Sequence, residues 1–354
     1  MMGLSTLSIG ESDLKPSDRA ALMTTIKQVA HHAGVSFKTV SRVLNDDPKV
    51  APATRERVQR AIAELGYRPN VAARHMRTGR SHIIGFITDE IATTPFAVNI
   101  IKGAQNQAWQ HNRMLLVTNT ERDPLIEERA IEMMLERRVD GIIYATMYHR
   151  VVTPPRIIRE APTVLLDCFV ADRSLPSVVP DEVEGGRIAT ETLIARGHRR
   201  IGFLNVDFER HYPAAAGRLE GYRMALEAHG LPFDDTLVRC GNTMADQGYE
   251  HTRELMELPV PPTALFCGTD RTAMGAYDAL KELGLRIPED VAVVGFDNQE
   301  LIATYLRPAL TTIALPHYQM GAWAIQYLVE HPQAQPDNPV QEKVRCPLVE
   351  RGSV

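Results

Sequence analysis

From His82 to Asp297, short apolar runs alternate with segments of helical length, and that order leaves few folds open. HIIGFIT, RMLLVTNT, VDGIIYAT, PTVLLDC and SVVPD read as strands. Helices are expected between them over Phe96–His111 and Leu125–Arg137. The theme then repeats, with helices expected over Glu184–Arg196, Ala214–His229, Ala245–Leu258 and Thr272–Leu283. Strands RIGFLNV, TALFCG and DVAVVGFD fall among them. Alternation of this kind predicts parallel sheets covered by helices on both faces. Two such sheets with a cleft between them offer a small-molecule site at the carboxyl ends of their strands.

The 354 residues exceed one typical domain, and the segment before Ser81 has a different pattern. TIKQVAHHAGVSFKTVSRVLN, Thr25 to Asn45, reads as two short helices joined by a tight turn. Ile26, Val29 and Ala30 form one buried stripe, and Val40, Val43 and Leu44 another. Gly34 stops the first helix where the backbone needs positive φ. Ser36 is placed to cap the second. Phe37, Lys38, Ser41 and Arg42 are left outward near the start of that second helix. A helix laid in the major groove reads bases with such N-terminal side chains, so the pattern is a helix-turn-helix and DNA its expected partner. A third helix is expected from Pro52 to Leu65, with Val58, Ile62 and Leu65 inward and Gly66 after it. Ala51 is a poor N-cap, which predicts a weak start.

Charge supports the division. Thr24 to Arg80 holds eleven basic and four acidic residues, a formal +7, so against −5 for the whole chain the remainder carries −12. A basic head on an acidic body is the electrostatic footprint of nucleic-acid binding. No run approaches the apolar length of a membrane span. Residues 1–23 lack the basic and apolar regions of a secretory signal and read as a disordered extension, with Met23 a candidate natural start. Cys168, Cys240, Cys267 and Cys346 are scattered, which predicts reduced thiols, no metal site and a cytoplasmic protein. His31 and His32 read as a solvent-facing helix edge. G-x-S-x-G, H-E-x-x-H, Walker and G-x-G-x-x-G motifs are absent, so no enzyme and no cofactor are expected.

IKQVAHHAGVSFKTVSRVLN, GYRPNVAARHMRTG, RVDGII, RGHRRIGFL, AGRLEGY, PTALFCGTDRTAMGA, GLRIPEDVAVVGFDN and PALTTI, in that order, resemble the lactose/galactose-repressor (LacI/GalR) family from about Thr24 onward. The resemblance implies a small all-α helix-turn-helix head and an α/β body. That body would be periplasmic-binding-protein-like, with two doubly wound parallel-sheet subdomains joined by three crossing strands. The expected divisions are a head over 24–69, a hinge helix and linker over 70–80, and an effector-binding and dimerisation domain over 81–354. Partners implied are a near-palindromic operator, a small sugar-type effector and a second copy of the chain. Function is then repression of carbohydrate-utilisation genes, relieved when the effector binds. A transport-type sugar-binding module and a corepressor-dependent regulator are the alternatives.

The resemblance also implies roles for single residues. Phe37 and Lys38 fall at the family's base-reading pair, with Arg42 beside them. Lys38 suits guanine O6 and N7, and Phe37 a thymine methyl. Thr25, Ser36, Thr39, Ser41 and Asn45 complete the expected major-groove set. Asn70, Ala73, Arg74 and Met76 form the hinge set, Met76 as a wedge between central base steps. In the cleft, Arg218 and Asp297 match the family's effector-binding pair, whose guanidinium and carboxylate serve adjacent ring hydroxyls. Phe96 is expected to be a platform for a sugar ring. Asp167, Thr269 and Asp270 lie at strand ends facing the cleft, Asp270 either touching ligand or capping the next helix. Thr243 stands where relatives place an aromatic wall. Tyr212 and Ala214 replace polar purine-contacting residues, which argues against a nucleobase.

Overall fold

The computed structural model describes residues 24–44, 46–67, 80–95, 97–206, 212–333 and 338–354. They belong to two compact units, one ending at Gly79 and one beginning at Arg80.

The first unit holds α1 (Ile26–His32), α2 (Phe37–Leu44) and α3 (Pro52–Glu64). Thr25 opens α1 with a capping box: its hydroxyl accepts from Gln28 N at 3.3 Å, and Gln28 Oε1 accepts from Thr25 N at 2.7 Å. Gly34 turns the chain at φ +62°, and Ser36 Oγ accepts from Thr39 N at 3.1 Å to cap α2. Ala51 gives α3 no side-chain cap, as expected, and Pro52 fills the first turn. Val29, Val40, Val43, Val58 and Ala61 form the core where the three helices meet. His31 and His32 face solvent as expected, and His32 Nε2 meets Glu64 Oε2 at 2.7 Å between α1 and α3.

The second unit contains two six-stranded sheets. The first is built from β1 (Ile83–Thr88), β2 (Met114–Asn119), β3 (Gly141–Val151), β4 (Thr163–Phe169), β5 (Ser177–Pro180) and β11 (Gln341–Val344). Their order is β11-β5-β4-β3-β1-β2, all parallel. Neighbouring residues of one strand serve opposite faces. Phe86 packs under α4 (Val98–Gln110) and α11 (His317–Glu330), while Ile87 packs under α5 (Pro124–Glu136). Burial on both faces explains the unbroken apolar runs.

The second sheet has β6 (Ile201–Val206), β7 (Val238–Gly241), β8 (Ala264–Cys267), β9 (Ala292–Asp297), β10 (Thr311–Ala314) and β12 (Leu348–Val349). The order is β12-β10-β9-β8-β6-β7. It differs from the expected all-parallel sheet at one edge, where β12 runs antiparallel to β10. That edge is the chain's last passage between sheets, and doubly wound sheets tolerate such a strand. One face carries α6 (Glu182–Ala195) and α7 (Pro213–Ala228); the other carries α8 (Ala245–Met256) and α9 (Asp270–Glu282). Phe203 and Phe266 stack at 4.4 Å inside it.

Among the described residues the chain passes between the sheets at β5 to α6, β10 to α11, and β11 to β12. These passages are the expected crossings. The short α10 (Glu300–Ala303), β7 and everything after Asp297 lie beyond the elements expected from the sequence. β3 also runs past the expected VDGIIYAT, with a register shift between Ala145 and Arg150. The extra residues carry the strand's end into the cleft.

Candidate functional site

On the head, Phe37, Lys38 and Arg42 are exposed together on α2, Phe37 at 61%. Ser36, Thr39 and Thr25 are engaged as caps or cap partners: Ser36 Oγ and Thr39 Oγ1 lie 2.9 Å apart. Ser41 is half-buried on the same helix. The expectations for Asn45, Asn70, Ala73, Arg74 and Met76, and for Phe96 in the body, lie outside the described residues.

In the body a cavity opens between the carboxyl ends of the two sheets. Asp167, Tyr212, Arg218, Thr243, Thr269 and Asp297 line it, as does Ala214. Tyr212, Ala214 and Arg218 come from α7 and its cap, and the others from separate elements. Asp167 sits near the end of β4 at φ +57°, Thr243 precedes α8 at φ +71°, and Asp297 ends β9 at φ +109°. Left-handed backbone at a non-glycine residue is uncommon, and three of the cases among the described residues border this cavity.

Arg218 is the centre of the arrangement. Its Nε donates to Glu182 Oε2 at 2.8 Å and its Nη2 to Glu182 Oε1 at 3.4 Å. Nη1 donates to the Gly268 carbonyl, and Nη2 stands 3.9 Å from Asp297 Oδ1. The guanidinium carbon lies 3.8 Å from the centre of the Phe296 ring. Asp297 is held on its other side by Gln299 Nε2 at 2.8 Å. Burial pushes the Asp297 carboxyl up to about 6, against the pull of Arg218. Burial, with Glu182 nearby, holds Asp167 well above the usual carboxylate range.

Thr269 Oγ1 accepts from Thr272 N at 3.1 Å, so Thr269, not Asp270, caps α9. The expectation of a ligand contact at Asp270 is corrected. Asp270 is fully buried and lies outside the lining. Its Oδ1 accepts from Thr312 Oγ1 and its Oδ2 from Gln299 N, both at 2.6 Å. Both oxygens are spent bracing β10 and the loop after β9.

Several lining residues escaped the sequence reading, chiefly Glu182, Tyr148, His149 and Gln299. Tyr148 lies 5.6 Å from Tyr212, ring to ring, and the two close one side of the cavity. His149 packs edge-on against Phe169 and stands 3.9 Å from Glu182, beyond hydrogen-bond reach. Burial pushes its imidazole down to about 4, so it is neutral near pH 7. Both His149 nitrogens, Asp167 Oδ1 and Gln299 Oε1 are buried without a hydrogen-bond partner among the described residues. Buried polar atoms are costly to leave unpaired, and a cavity rimmed by them is fitted for a polar ligand.

Known proteins share this architecture. Residues 81–351 match the family model for periplasmic binding proteins and the sugar-binding domain of the LacI family. Residues 25–70 match that for bacterial regulatory proteins of the LacI family. The chain is 36% identical to the ribose operon repressor of Escherichia coli K12, over 94% of this chain and all of that one. The crystal structure of the Lac repressor dimer bound to operator and the anti-inducer ONPF aligns with TM-score 0.75 and 28% identity, covering 94% of this chain and 99% of that one. The cellobiose complex of the transcriptional regulator CelR aligns with TM-score 0.66 and 31% identity, covering 94% of this chain and all of that one. With a helix-turn-helix head and a two-sheet effector body, the chain belongs to the LacI family of DNA-binding bacterial regulatory proteins.

Proposed function

We propose that this regulator represses carbohydrate-utilisation genes from a near-palindromic operator and leaves it when a sugar-type effector fills the cavity. The observation that carries the reading is the polar cluster of Arg218, Asp297, Glu182 and Asp167, set where the chain passes between the two sheets. Groups of that kind offer donors and acceptors to adjacent hydroxyls. Ligand contact at this place is coupled to the angle between the sheets. Support for a carbohydrate also comes from one relative named as a ribose operon repressor and another solved as a complex with cellobiose. Ala214 in the lining has no side-chain polar atom to offer a nucleobase.

In this reading the protein works in the cytoplasm as a homodimer. Residues 24–69 read the operator through Phe37, Lys38 and Arg42, residues 70–80 are the hinge, and residues 81–354 bind effector and partner. The effector shifts the balance only by its differential affinity for the two geometries. Selection of genomic fragments by purified, ligand-free protein tests the reading. A near-palindromic site, released by a sugar, is expected. Tighter operator binding with the sugar would make the sugar a corepressor, and no recovered site would mean that a corepressor must fill the cavity first or that the head lacks specific DNA binding.

A further inference from the structure

Carboxyl groups and arginines both line the cavity assigned to the effector. Asp167, Glu182 and Asp297 face it, with Arg218, Arg271, His149 and His317, and burial favours the neutral forms of Asp167 and His149. Arg218 is already committed to acceptors. Its three nitrogens meet Glu182, the Gly268 carbonyl and Asp297, and its face lies on Phe296. Arg271 donates to Thr243 Oγ1 at 3.4 Å, and its charge acts on Asp297. A phosphate or carboxylate entering the cavity would have to displace a buried carboxylate from Arg218 and strand it. A stranded buried charge is among the costliest defects in a protein.

The unpaired atoms ask for something else. Asp167 Oδ1 and Gln299 Oε1 are acceptors, and neutral His149 presents one donor and one acceptor. Hydroxyl groups, which donate and accept, satisfy all of them. An ionised phosphate brings mainly acceptors and is repelled by Glu182.

We propose that the cavity selects an uncharged, hydroxyl-rich ligand and rejects the phosphorylated or carboxylated form of the same molecule, with Glu182 enforcing the choice. This rests on the cavity being the effector site. Glu182 suits the role because it opens α6 at the first passage between sheets, where it holds Arg218.

The test is calorimetric titration of the full chain with paired probes: ribose and ribose 5-phosphate, glucose and glucose 6-phosphate, fructose and fructose 6-phosphate. An uncharged member should bind, with its phosphate weaker by at least roughly tenfold. Glu182→Gln, checked for an unchanged fold by its melting transition, should narrow that gap. Asp297→Asn should narrow it as well at pH 7 or above and serves if the first variant fails to fold. A phosphate ester binding wild type as tightly as its parent sugar would overturn the proposal. An undiminished gap in both folded variants would overturn the role of the carboxylates. Binding of an uncharged purine base, with every sugar and sugar phosphate refused, would refute the carbohydrate reading and uphold the charge rule.

Discussion

Arg218 on α7 and Glu182 at the head of α6 share a 2.8 Å hydrogen bond at the point where the chain first passes from one sheet to the other. Both side chains are about 95% buried, so neither charge is stable alone. Arg218→Ala should therefore lower unfolding stability by about 3–5 kcal/mol, the cost of leaving a carboxylate buried without its partner. Arg218→Met with Glu182→Gln should recover most of that loss in urea titration. Both variants should bind operator and ignore inducer. Normal induction in the double variant would refute the site.

The cavity's titrating groups predict opposite pH responses. Asp297 has a folded pKa raised from 3.8 to about 6, so the stability present below 3.8 is lost as pH rises through about 6. His149 has a folded pKa lowered from 6.5 to about 4, so the stability present above 6.5 is lost as pH falls through about 4. Each shift corresponds to about 3 kcal/mol. The stability of Asp297→Asn relative to wild type should grow as pH rises from 4 to 6. That of His149→Gln should grow as pH falls from 6.5 to 4. Unfolding free energies across that range, ligand absent, check both signs.

Much of this was legible in the sequence, and the rest was hidden for identifiable reasons. Strands buried on both faces, such as β1 and β4, announce themselves as unbroken apolar runs. β11, with the sequence QEKV and an exposed edge, carries no such signal. α11 buries Met320, Ala324, Ile325 and Leu328 at helical spacing, but it follows the last strand expected. Arg218 and Asp297 stood in recognisable motifs. Glu182 did not, because its partner is thirty-six residues away and only the fold joins them. His149 lies within the register shift that carries β3 into the cleft, which periodicity cannot reveal.

Packing between α6 and α7 holds that pair in place, and Gly221 is what permits it. A Cβ there would stand 2.1 Å from the Val183 carbonyl oxygen, an encounter with backbone that no rotamer relieves. Gly221→Ala should cost at least about 1–3 kcal/mol and displace Arg218 from Glu182. A thermal melt reads the first effect, and a weakened inducer response in operator binding reads the second. Unchanged values for both would mean that the helices separate without consequence for the site.

The head offers a gain as well as a loss. Ala51 precedes α3 with extended backbone, φ −58° and ψ 140°, and no side-chain bond to the helix. Ala51→Ser supplies the missing acceptor and should stabilise the head by about 0.5–2 kcal/mol. Ser36→Ala removes the cap of α2 and should cost a similar amount. Hydrogen exchange of the α2 and α3 amides in the full chain separates the two effects.

Phe37 is the exposed apolar residue at the start of the recognition helix, and it sits beside the charged Lys38. The two should fail differently. Lys38→Ala removes a charge, so operator affinity should drop and the slope of log K against log salt should flatten. Phe37→Ala removes no charge, so affinity should drop with the slope unchanged. If Phe37 rests on a thymine methyl, uracil at one operator position should mimic the loss with wild type and add nothing with Phe37→Ala. Additive losses at every thymine would place Phe37 elsewhere on the duplex.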